Sequence, residues 1–332
     1  MGDVMRATSM RILMTGATSG IGLAAARQLL AEGHELIVIC RDPERASQRL
    51  GDATDKLQIL PTDLADLTEV DQSCRQLLNN DQHLDAVVLN AGLQYAGDQQ
   101  PRYSAQGFEL TFAVNHLAHQ HLVNELLPLI TMSVNGRIVI TASEVHNPNS
   151  GGGRVGQAAS LGSLRGLNTG AGFVMVDGCT SFDADKAYKD SKLCNLLFAR
   201  QLVALLSSKE TAIPVITWSP GLVIPRSSDG FFRYSRQINP LGQLLFAFVA
   251  RDLFRLTVPV ESAGDLLVEL IRGRDFNPGF HYWSNALKGP GQHQFEATDP
   301  SEEASDKHLA AQLFERSSDL IKAALKESII EA

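Results

Sequence analysis

Cysteine is scarce in this chain. Its 332 residues hold four, Cys40, Cys74, Cys179 and Cys194, and no two form a C-x-x-C pair. That spacing excludes a zinc knuckle and a disulfide framework and fits a reducing compartment. Clusters of Lys and Arg are missing as well, and the formal net charge of -8 sets the chain against a nucleic-acid partner. No run of about 18 uncharged apolar residues occurs, so no membrane-spanning helix is expected. The N-terminus "MGDVMRATSMRILMTG" lacks the long apolar core of a signal peptide, and internal repeats and low-complexity tracts are absent. These absences predict a soluble, cytoplasmic protein, with attachment at a membrane surface and homo-oligomerisation left open.

What is present is 44% hydrophobic residues, enough for one large core. Short runs rich in Val, Ile and Leu alternate with helical periodicity: "RILMT" 11–15, "ELIVIC" 35–40, "LQILP" 57–61, "DAVVLN" 85–90, "GRIVITA" 136–142 and "PVITWS" 214–219. The rhythm predicts an α/β fold, a single-domain, doubly wound, Rossmann-type parallel sheet with helices on both faces, spanning 10–332 after an N-terminal extension 1–9. A ligand crevice then lies at the carboxyl ends of the strands. A helix at 261–272, a short strand near "GFHYWS" 279–284 and a final helix from about 302 to 327 complete the prediction. Two stretches break the rhythm: a Gly- and Ser-rich insertion at 145–186, and an aromatic-bearing segment at 222–259. Both follow strand ends, so both are candidates to roof the crevice over a bulky apolar substrate.

After the first strand comes "TGATSGIG", with Gly16, Gly20 and Gly22 at a strand-to-helix turn. Glycine admits close backbone approach, and the helix start supplies N–H donors, so Thr18, Ser19, Gly20, Ile21 and Gly22 are placed to hold a dinucleotide diphosphate. The second strand ends in "CRDPER". Arg41 and Arg45 match a 2′-phosphate, which favours NADPH. Asp42 either serves a ribose or caps the next helix. Asp63 and Leu64 in "TDL", with Asn90, Ala91 and Gly92 in "NAG", would flank adenine and ribose.

In "AYKDSK", Tyr188 and Lys192 share a helix face. An ammonium about 4–6 Å from a phenol lowers the phenol's pKa by about 1–3 units, making the pair a proton shuttle. Tyr188 would protonate the substrate as hydride arrives from the nicotinamide, with Lys192 stabilising the phenolate and binding the ribose. Ser143 after the fifth strand and Asn115 in the preceding helix complete the constellation. His116, His119 and His121 lack an accompanying carboxylate, so no metal is expected. Cys194 turns away from the Tyr–Lys face and should pack as a small hydrophobe.

In this order, "TGATSGIG", "NAG", Asn115, Ser143, the Tyr–Lys motif and "SPG" 219–221 resemble the short-chain dehydrogenases/reductases over residues 10–285. The resemblance implies a nicotinamide cofactor held also by Pro220 and Gly221, and an Asn115–Ser143–Tyr188–Lys192 tetrad. "KAYKDSKLCN", "HNP" 146–148, "MVDG" 175–178 and "GFELTFAVNHLAH" look like the light-dependent protochlorophyllide oxidoreductase branch. That branch usually carries Y-P-G-C after the sixth strand and NAA after the fourth, whereas this chain has "SPGLV", with Leu222, and "NAG". "SKLCNLLFAR" and "SPGLV" are also similar to the retinol-dehydrogenase-like branch of alcohol and carbonyl oxidoreductases. A non-catalytic NADPH-binding sensor is the alternative from a different class.

Overall fold

A computed structural model describes residues 9–178, 181–209, 211, 213–226, 230–273 and 275–330. Most of the N-terminal extension, and Cys179, lie outside the described residues. Strands β1 (Arg11–Thr15), β2 (Glu35–Cys40), β3 (Leu57–Pro61), β4 (Ala86–Leu89), β5 (Arg137–Thr141) and β6 (Pro214–Ser219) coincide with the six apolar runs to within a residue at either end. Helices α1 (Gly20–Ala31), α2 (Pro43–Leu50) and α3 (Leu67–Asn79) make the early crossovers. The short turn α4 (Leu110–Phe112), a π-helical turn at Ala113–Leu117 and α5 (Ala118–Thr131) follow β4. Helix α6 (Ala184–Ser208) leads to β6, and α7 (Arg233–Ile238), α8 (Pro240–Ala247) and α9 (Val260–Val268) follow it.

The sheet order is β3-β2-β1-β4-β5-β6-β7-β8. The chain leaves β1 in one direction for β2 and β3 and returns on its other side with β4, which opens a crevice at the carboxyl ends of β1 and β4. Strands β4 and β5 are buried over most of their length, as helices on both faces require.

The C-terminal part departs from expectation. The predicted short strand is β7 (Gly279–Gly289), and it turns back at Gly291 into an antiparallel β8 (Gln292–Ala297) that the sequence reading missed. The final helix, α10 (Lys307–Ile330), begins several residues later than predicted because a separate 3₁₀ turn, Glu303–Ser305, occupies the expected start.

The insertion ends at Asp183, not 186, since Asp183 caps α6 by accepting from the Lys186 N–H at 2.9 Å. Its first part and its last residue, Asp183, face the crevice, as does Asp185 of α6. Beyond Gln157 it turns inward, and Leu161, Leu164, Leu167, Phe173 and Val176 join a buried cluster with Leu309 and Leu313 of α10. This half is core, not roof. Of the described residues of the second segment, 222–259, Leu222, Phe231, Tyr234, Phe246 and Leu256 line the crevice, and Leu241, Leu244, Leu245 and Phe248 are exposed.

Candidate active site

The glycine turn is built for close approach. Gly16 has φ +71°, and a Cβ there would stand 2.7 Å from Ala91 Cα; a Cβ on Gly22 would stand 2.2 Å from the Gly16 carbonyl oxygen. The "NAG" strand end is pressed against this turn. The Thr15 hydroxyl accepts from the Asn90 and Ala91 N–H groups at 3.0 Å each, and the Asn90 amide donates to the Gly16 carbonyl at 3.3 Å. Ser19 sits at the start of α1 in extended conformation without making a side-chain cap, and Gly20, at φ +52°, faces open space. The first N–H groups of α1 are thus left for an outside acceptor, and the cradle fits a dinucleotide diphosphate.

At the end of β2, Arg41 is exposed and Arg45 is half-buried, and both line the same cavity. The two readings of Asp42 resolve: its carboxylate accepts from the Arg45 N–H at 2.9 Å and caps α2. Asp63 accepts from the Ala65 N–H at 3.0 Å, and with Leu64 it forms the adjoining wall. On the far side, Gly221 lies at φ +79°, where a Cβ would meet the Asn285 carbonyl at 2.9 Å, and the Asn285 amide donates to the Pro220 carbonyl at 3.2 Å.

Of the tetrad, Ser143, Tyr188 and Lys192 line the cavity, and Asn115 stands behind them. Asn115 lies in the π-helical turn; its side-chain oxygen accepts from the Leu93 N–H at 2.9 Å, and its amide donates to the Leu93 carbonyl and to Ser191 Oγ at 3.0 Å each. Its side chain therefore ties the loop after β4 to α6, with both amide hydrogens taken and one acceptor position of its oxygen filled. Lys192 Nζ donates to the Thr141 carbonyl at 2.8 Å and lies 5.7 Å from the centre of the Tyr188 ring.

Electrostatics correct one expectation. Burial pushes the Tyr188 phenol above its ordinary value, opposed only by its hydrogen bond with Ser143, while burial draws Lys192 down to about 7. The predicted lowering of the phenol by its cationic neighbour is not what this geometry gives. Desolvation dominates both shifts, and near neutral pH Lys192 holds only part of its charge.

The three histidines turn to three different partners: His116 to Ser317 Oγ at 2.9 Å, His119 to Thr15 Oγ1 at 3.1 Å, and His121 to Asp71 Oδ1 at 3.1 Å. Cys194 is buried in the apolar cluster beside α10.

One cavity of about 1350 Å³ runs from Gly20 past Tyr188 to Phe246, Leu256 and Leu287. That exceeds the roughly 300–1,000 Å³ of a site for one small ligand. Its wall also contains groups the sequence reading missed. Glu144 has its carboxyl raised by burial, opposed by His293 of β8, and Phe231 meets the Tyr188 ring edge-on at 5.1 Å. Glu144 follows Ser143 directly and was legible as a strand-end carboxylate. His293 was hidden with its strand.

Comparison with known proteins agrees with this architecture. Residues 10–160 match the family model described as short chain dehydrogenase. The chain is 34% identical to the chloroplastic protochlorophyllide reductase B of Hordeum vulgare, over 93% of this chain and 78% of that protein. It is 33% identical to the chloroplastic protochlorophyllide reductase A of Oryza sativa subsp. japonica, over 93% and 80%. An uncharacterised protein of Mycobacterium paratuberculosis shares the fold with a TM-score of 0.67 at 22% identity, covering 94% of this chain and 93% of that one. Among the described residues no helix is long and apolar enough to cross a membrane.

Proposed function

The chain belongs to the short-chain dehydrogenases/reductases, in a branch shared with protochlorophyllide reductases, and from that premise we propose that it is an NADPH-dependent reductase of a bulky tetrapyrrole like protochlorophyllide. The observation that carries the proposal is the single cavity of about 1350 Å³ joining the glycine cradle to Tyr188 and continuing beneath an apolar roof.

In this reading the N–H groups at the start of α1 hold the diphosphate, and Arg41 and Arg45 meet the 2′-phosphate. The cofactor supplies hydride. Tyr188 supplies the proton, and its raised pKa suits reduction: at neutral pH the phenol is fully protonated and waits for a strongly basic site on the substrate. Ser143 fixes the hydroxyl by its hydrogen bond. Lys192, poised near neutrality on the next turn, is the group able to return a proton to the phenolate. Phe231, packed against the phenol ring, limits the access of water to that exchange.

The test is illumination of the purified protein with NADPH and protochlorophyllide. The chlorophyllide absorption band should grow in the light and not in the dark, and Tyr188→Phe should slow it by about 10²–10⁴-fold while NADPH still binds. Absence of the band together with turnover of a retinal-like aldehyde would favour the retinol-dehydrogenase-like reading, for which Leu222 in the cavity wall is the specific structural point. NADPH binding without turnover of either substrate would leave the sensor.

A further inference from the structure

The residue after Tyr188 is a lysine almost excluded from solvent. Lys189 is 5% exposed, and its ammonium donates to three backbone carbonyls of one loop: Gly153 at 3.2 Å, Gln157 at 2.8 Å, and Val155 between them. An ammonium has three donors, and all three are taken. The loop they hold, 150–157, reads "SGGGRVGQ" and has neither helix nor strand. Its other bonds lie within the loop or reach back a few residues, such as Gly153 N–H to Ser150 Oγ at 2.9 Å, Arg154 N–H to the Ser150 carbonyl at 3.2 Å, and Ser150 Oγ to the Glu144 carbonyl at 2.8 Å. Gly151, Gly152, Val155, Gly156 and Gln157 form one wall of the large cavity.

The position is electrostatically odd. Near the N-terminus of α6 the helix dipole disfavours a cation, and burial adds to that cost. The cost is reduced locally but not cancelled: the ammonium meets three carbonyl dipoles, and Asp185, Asp183 and Asp190 stabilise its charge, yet burial still draws its pKa below the ordinary lysine value. Helix geometry then links two things that loop sequence alone would leave separate. Lys189 follows Tyr188 in a hydrogen-bonded helix, so the loop wall and the phenol keep one fixed spacing.

We propose that Lys189 is a positioning residue that bolts the glycine-rich wall 150–157 to the helical turn carrying Tyr188, and so sets the width of the substrate side of the cavity. The kinetic part rests on the reductase reading; the structural part does not. Loss of the bolt should widen the substrate site without touching the glycine cradle on the opposite side. Kinetically this is a weakening of substrate binding with little change in the chemical step.

The experiment uses the full chain with Lys189→Gln and Lys189→Arg. For the Gln variant the KM for protochlorophyllide should rise about tenfold or more, with kcat within about threefold and NADPH affinity unchanged, and the Arg variant should recover most of the loss. Trypsin cleavage after the exposed Arg154 should accelerate about tenfold or more in the Gln variant and return toward the original rate in the Arg variant. Equal KM and equal cleavage in all three proteins would overturn the proposal. So would parallel losses of NADPH affinity, kcat and KM, which a general fault in folding produces. Should the protein reduce no tetrapyrrole at all, the cleavage rates decide alone, and the reductase reading fails separately from the bolt.

Discussion

The two segments that the sequence offered as roofs for the crevice are held in different ways. The insertion before α6 is anchored by buried polar groups. Lys186 Nζ donates to Asp190 at 2.6 Å, to the Ser160 carbonyl at 2.8 Å and lies 3.0 Å from Asp177. Glu303 accepts from the Leu161 N–H at 2.7 Å. Burial works against the Lys186 charge, yet Asp190 and Asp177 hold its pKa above the ordinary lysine value. Among the described residues of 222–259, the ion pairs, Asp252 with Arg226 and Arg251, lie toward the surface. The segment's buried cluster comprises Ile224, Phe232, Ala247 and Ala250, and of twelve large apolar side chains exposed among the described residues, seven lie between Leu241 and Phe254. The insertion's buried half is fixed by charges that are costly to leave unpaired; the described part of the second segment relies more on apolar packing and on hydrogen bonds to backbone carbonyls.

Breaking the anchored insertion should have the largest effect. Lys186→Met leaves Asp190 buried without its cation and should cost about 3–5 kcal/mol, read from the denaturant midpoint. Lys192 provides a smaller, pH-dependent test. Its pKa is lowered from 10.5 to about 7 by burial, so between those values the unfolded chain binds more protons than the folded one. Stability of the cofactor-free protein should therefore rise with pH from about 7 to 10, by on the order of a few kcal/mol, and Lys192→Met should flatten the rise. The smallest effect belongs to the second segment's exposed side chains. Leu244→Ser and Phe248→Ser, both at solvent-exposed positions, should change stability by no more than about 0.5 kcal/mol each, and a cost near that of Lys186→Met would erase the contrast.

The central sheet was legible because parallel strands covered on both faces must be continuously apolar, and "ELIVIC" and "PVITWS" are. The glycine turn and the Tyr–Lys pair were legible because their chemistry constrains spacing. Strand β8 was not, since "QHQFEA" lies at the sheet edge, half exposed, and needs no apolar run. Nor was the buried half of the insertion, whose Leu161, Leu164 and Leu167 are single apolar residues among glycines and acquire meaning only against α10. The direction of the phenol's pKa shift was misjudged for a third reason. Spacing places Lys192 beside Tyr188, but the degree of burial decides the charge on each, and burial is a property of the fold.

Helix α6 has two working sides. Lys186, Lys189 and Asp190 grip the insertion, while Tyr188 and Lys192 face the cavity, all within two turns. For protein engineering this makes the segment from Glu144 to Asn195 a single cassette. A loop transplanted from a relative without its matching helical turn would arrive with no counter-ions waiting for it, and the graft should include both.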